Sequence, residues 1–143
     1  MILMKKILLI FLAALLFSSC GKKEDVNKLE ISKTEAFAYD IGDEWEVNAI
    51  AQVKGFSQIS ENEMFKAQLS YDIDLIKPSG ETIKSLISKI VDKTDSEKMP
   101  DTQLDIQFNL DSTYAAGEYK IVINLKDVES GQETSASALF KLE

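Results

Sequence analysis

The chain has 143 residues, with 16 lysines against 24 aspartates and glutamates, a formal net charge of −8, and neither histidine nor arginine. An acidic body is repelled by phosphate backbones, and no basic patch with interleaved aromatics offsets this, so nucleic-acid binding is excluded. Without histidine, arginine or more than one cysteine, the chain has no common general base, no bidentate anion clamp, no zinc cluster and no internal disulfide, and no cofactor is expected.

Near its start the chain carries Lys5 and Lys6, then an apolar run from Ile7 to Phe17, then the small residues Ser18 and Ser19. That order of charge, apolar run and small residues is the order of a secretory signal, helical and removed on export. The run is too short to span a bilayer, which takes about 20 such residues. Met4 would start an equally good signal to Met1. The sole cysteine, Cys20, follows at once. The stretch from Leu16 to Cys20 resembles the lipobox of bacterial lipoproteins, with Phe17 standing where the family usually has leucine. The resemblance implies cleavage between Ser19 and Cys20, a diacylglyceryl thioether on the sulfur, and an acyl chain such as palmitate on the new amino terminus. Two or more chains give stable anchoring where one does not. Loss of Lys5 and Lys6 with residues 1–19 takes the net charge from −8 to −10.

Residues 20–27 form a polar, glycine-led tether. Gly21 after the cysteine resembles an outer-membrane sorting signal, and Lys23-Glu24-Asp25 resembles the lysine-plus-acids signal that places some lipoproteins on the cell surface. Residues 28–143 form one domain of ordinary size. Its first strand runs from Lys28 to Tyr39, with a break near Lys33, and Asp40 to Asp43 make a turn. Trp45, Val47, Ala49, Ala51 and Val53 alternate with polar residues up to Gly55, the period-2 pattern of a half-buried strand. A loop is expected from Phe56 to Glu63. Phe65 to Leu75 is the longest clean alternation, closed by Pro78-Ser79-Gly80. In the stretch 81–93, Ile83, Leu86, Ile87, Ile90 and Val91 fit helical spacing, while the β-branched content favours a strand. Strand is the expectation, with a short crossing helix as the alternative. Strands follow over Leu104 to Leu110, Tyr119 to Leu125 and Gln132 to Leu142.

About seven strands spaced by turn signals predict an all-β, antiparallel two-sheet sandwich. Ala116-Gly117-Glu118-Tyr119, followed by Ile121 and Ile123, resembles the penultimate strand of immunoglobulin-like and fibronectin-type-III-like domains. The resemblance implies that the Tyr119 hydroxyl folds back onto the preceding corner.

Asp72 and Asp74, with Asp40, Asp43 and Glu44, offer oxygen ligands of the kind calcium takes, but no calcium-loop motif surrounds them and a solvated acidic face is the reading. No catalytic residue and no metal ligand is assigned, and the chain is expected not to be an enzyme. Tyr39, Trp45, Phe56 and Tyr114 sit near strand ends or in loops, where they read first as plugs at the ends of the core; Trp45, Phe56 and Tyr114 are the candidate contact residues if they are exposed. Ile50, Ile76, Val122 and Leu139 interrupt outward polar faces and make a docking patch if one sheet gathers them. The expected function is a lipid-anchored, non-catalytic binding or assembly module of the bacterial cell envelope. It would sit at the outer membrane, periplasmic or surface-facing, and contact the membrane by its lipid and another envelope protein by its faces or loops. The alternatives are a protease inhibitor using Phe56 to Asn62 with Ser112 to Gly117, and a carbohydrate-binding module using surface aromatics.

Overall fold

A computed structural model describes residues 27–143; the expected signal peptide, Ser19, Cys20 and most of the tether lie outside them. Every regular element among the described residues is a strand: β1 Glu30–Asp40, β2 Glu44–Lys54, β3 Ile59–Glu61, β4 Met64–Ile76, β5 Thr82–Asp95, β6 Asp101–Asp111, β7 Gly117–Asp127 and β8 Glu133–Leu142. β1, β2 and β6 pair in that order as a smaller antiparallel sheet. β5, β4, β7 and β8 form the larger one, with β3 beside the start of β4 on the β7 side. The described residues form an all-β, antiparallel two-sheet sandwich of eight strands.

The inner faces follow from period-2 alternation. Val47, Ala49, Ala51 and Val53 of β2 and Leu104, Ile106, Phe108 and Leu110 of β6 are buried against Leu69, Ile73 and Leu75 of β4 and Tyr119, Ile121, Ile123 and Leu125 of β7. The Tyr119 hydroxyl donates to Ala115 O at 2.7 Å, and its ring stacks on Phe140 at 5.6 Å, so the corner forms as the resemblance implies. Tyr71 lies in the same core at 3% exposure.

Three local features depart from simple alternation. The eighth strand, β3, arises inside the segment expected to be a loop, because Asn62 and Glu63 both adopt left-handed backbone (φ 51° and 63°) and turn it straight into β4. In β1 the register slips by one residue between Ile31 and Lys33, which is the expected break. Ile31 faces inward, and after the slip Thr34, Ala36 and Ala38 do, while Phe37 and Tyr39 turn to solvent. The stretch 81–93 is strand, but three residues of β5, Lys84 to Leu86, face the single residue Asp74 of β4, with Ser85 at φ 48°. Asp74 holds this bulge by accepting from Ser85 N at 2.9 Å and Lys84 Nζ at 2.8 Å.

The two ends of the sandwich differ. Where the chain enters, Gln132 clasps it, donating to Asn27 O at 3.1 Å and accepting from Leu29 N at 3.1 Å. The loops after β2, β5 and β7 surround that end. The far end carries the β1–β2 turn, the β4–β5 turn at 77–81 and the β6–β7 loop at 112–116.

Candidate contact surfaces

Asp127 organises the entry end. It is fully buried and its carboxylate accepts from Ser57 N at 2.6 Å, Glu129 N at 3.1 Å and Ser130 N at 3.4 Å. Burial pushes its pKa up, but these donors together outweigh burial and hold it below the ordinary aspartate value. Gln58 and Met99 exchange side chain-to-backbone bonds of 2.8 Å in both directions, tying the β2–β3 loop to the β5–β6 loop. Phe56 is buried here at 3% exposure. Of its two readings it is the plug at the end of the core and not a contact residue, because Gly55 at φ 76° turns the chain inward immediately after β2. A Cβ on Gly55 would meet Lys28 O at 1.9 Å, so only glycine fits.

At the far end, a cavity of about 410 Å³ lies between the β4–β5 turn and the β6–β7 loop, lined by Lys77, Pro78, Asp111, Thr113, Tyr114 and Tyr119. Lys77 Nζ stands 5.4 Å from the centroid of the Tyr114 ring, a cation–π geometry. Tyr114 and Trp45 are both half-buried and pack against the core, so each closes this end of the sandwich while keeping one edge in water. The three candidate contact residues therefore do not meet: Phe56 is at the entry end and the other two are at the far end. The same geometry separates Phe56 to Asn62 from Ser112 to Gly117. These loops lie at opposite ends, since Lys54 pairs with Asp101 and Glu44 with Asp111, and they cannot form one inhibitory edge.

The outer face of the larger sheet is balanced in charge, with seven lysines against eight carboxylates on its strands. A shallow groove of about 520 Å³ runs beside Ser70, Asp72, Asn124, Lys126 and Ser135. Asn124 donates to Asp72 at 2.9 Å and to Asp74 at 3.2 Å. Asp74 is held below the usual carboxylate range by the Lys84 ammonium first and the Ser85 N–H second. Asp72 and Asp74 are on this sheet, whereas Asp40, Asp43 and Glu44 flank the β1–β2 turn on the other. Among the described residues no three carboxylate, cysteine or histidine groups gather to hold a metal. Ile76, Val122 and Leu139 do share the larger sheet's outer face, around Lys120.

Ile50 lies on the opposite outer face, that of the smaller sheet, with two residues whose exposure the sequence conceals. Phe37 is 42% and Tyr39 56% exposed, with ring centroids 5.5 Å apart at 68°, edge to face. Asn48 lies opposite Phe37, and Glu46 opposite Tyr39. Glu46 accepts from Asn48 at 2.8 Å and Glu44 from Asn109 at 2.7 Å. The signal that would expose this pair is the one-residue slip in β1, since without it Phe37 and Tyr39 would share the inward parity of Ile31.

No family model and no curated protein matches the chain. Among solved structures it is similar to one described as the N-terminal domain of PorA, at 10% identity, covering 75% of this chain and 84% of that one with a TM-score of 0.41.

Proposed function

We propose that this protein is a lipid-anchored, non-catalytic binding module of a bacterial cell envelope, held at the outer membrane through Cys20 and contacting another envelope protein. The observation that carries this reading is the run of apolar residues ending in two serines and the sole cysteine at residues 16–20. The sandwich supports it. Among the described residues its larger cavities are open grooves on the outer face of the larger sheet and at the two ends of the sandwich, suited to contact with a surface.

An anchor at Cys20 would favour one orientation of the sandwich. Cys20 lies seven residues before Asn27, a reach of at most about 25 Å in extended chain. Strands of 11 residues stand roughly 35 Å tall. On this reading the entry end would face the bilayer, and the Tyr114 groove at the far end would project away from it. Replacing Cys20 with alanine is expected to move the protein from the membrane to the soluble fraction of a cell lysate. A variant that still sediments with membranes, or a measured turnover of any substrate by the purified chain, rejects the reading.

A further inference from the structure

The charge of the described body is not spread evenly. The three strands of the smaller sheet carry two lysines against eight carboxylates, while the five strands of the larger sheet carry seven against eight. The excess negative charge of the strands therefore belongs to one sheet. Both lysines of that sheet are already taken, Lys33 by Glu35 at 2.7 Å and Lys54 by Glu30 at 3.6 Å. Among the described residues no lysine lies within salt-bridge distance of Glu44, Glu46 or Asp105, whose side chains stand on the same outer face as Phe37 and Tyr39.

Two large aromatic side chains stand in water in the middle of this acidic field, extended by Ile50 on one side and by the exposed Ile41 on the other. An edge-to-face pair exposes ring face as well as ring edge, and a ring face attracts cations through its quadrupole. A long basic side chain can lay its apolar stem along Phe37 and Ile50 and bring its charge over Tyr39 within reach of Glu46. Anionic lipid and nucleic acid are repelled by the same face.

We propose that the outer face of the smaller sheet is the docking surface for a lysine- or arginine-rich segment of a partner protein. This rests on the binding-module reading and names the face and the partner's chemistry. Aromatic anchors supply the affinity and the surrounding carboxylates supply attraction at a distance and choice of partner.

The test uses the full-length chain in detergent micelles and a fluorescent peptide of alternating arginine and serine. The wild type is expected to bind it, and Phe37→Thr/Tyr39→Thr to weaken binding by about tenfold or more. Glu46→Gln/Asp105→Asn is expected to weaken binding and flatten its dependence on salt. The matched pair on the larger sheet, Glu118→Gln/Glu133→Gln, should change binding by less than about twofold. Equal binding by the aromatic variant, or equal losses from the two carboxylate pairs, overturns the proposal and assigns the attraction to net charge. Binding of cellohexaose instead of the peptide, with the same dependence on Phe37 and Tyr39, overturns it in favour of a neutral glycan. Failure of the peptide while Cys20 still anchors the chain rejects the face alone, because the membrane-partition experiment reads the module independently.

Discussion

Tyr71 and Asp127 show opposite solutions to burying a polar group. Tyr71 Oη is buried with no hydrogen-bond partner among the described residues, and burial pushes its pKa up. An unpaired buried hydroxyl costs free energy that its removal returns. Tyr71→Phe is therefore expected to raise the unfolding free energy by about 1 kcal/mol, read by urea denaturation. Asp127 is fully paired, and its donors come from the β2–β3 loop and the β7–β8 turn. Asp127→Ala leaves those buried N–H groups without their acceptor and is expected to cost about 3 kcal/mol. Because the folded carboxyl titrates below the ordinary 3.8, its stabilisation is complete above that value. It is lost as the pH falls through 3.8 towards the folded pKa, where the unfolded chain takes up the proton first. Denaturation curves from pH 7 to pH 3 should show this loss in the wild type, and a shallower one in Asp127→Ala.

At the scale of elements, β5 shows what alternation reveals and what it hides. Ile83, Ile87 and Val91 recur every four residues, a spacing shared by one helical turn and two strand repeats. All three take the inner-face register, while Leu86 and Ile90 belong to the bulge and the outer face. The composition was thus helical in spacing and β in fact, and only the partner strand β4 decides it. The break in β1 was legible near Lys33, but its consequence was not. A slip of one residue exchanges the two faces of everything after it, and nothing in Ala36-Phe37-Ala38-Tyr39 says which apolar parity is inside. Deleting Ser32 should remove the bulge, leave Lys33 opposite Gln52 and Tyr39 opposite Glu46, and so keep Phe37 and Tyr39 exposed with little change in melting temperature, as circular dichroism will show. β5 is also an open edge. It pairs with β4 alone, and Lys89 and Lys93 take the inward register opposite Tyr71 and Ala67. Lys93 reaches across the open flank to Gln103 O at 3.0 Å. Inward lysines keep a further strand from adding to an edge. Lys89→Val/Lys93→Val is expected to self-associate at micromolar concentration, as sedimentation velocity will show.

At the scale of the whole molecule, the sandwich follows from strand count and turn spacing, and these were legible. Which residues meet across it was not, because loops adjacent in composition, such as Phe56 to Asn62 and Ser112 to Gly117, are sent to opposite ends by antiparallel pairing. The segregation of charge was equally hidden, since a net charge says nothing of which sheet bears it. Its thermodynamic consequence is self-repulsion within the smaller sheet. The melting temperature should therefore rise with added sodium chloride as the repulsion is screened over about 10 Å at 0.1 M. Glu46→Gln/Asp105→Asn should reduce that rise more than Glu118→Gln/Glu133→Gln does.

The strand that receives the tether is the strand that bears the exposed aromatic pair. Gln132 grips the backbone at Leu29, and Phe37 and Tyr39 project from β1 less than one strand length further on. In the proposed anchored state, tension between a membrane and a partner seated on those rings would run lengthwise through a single segment of covalent backbone. The two layers of the sandwich would be spared that load, and a mechanical tug would be transmitted without prising the hydrophobic interior apart.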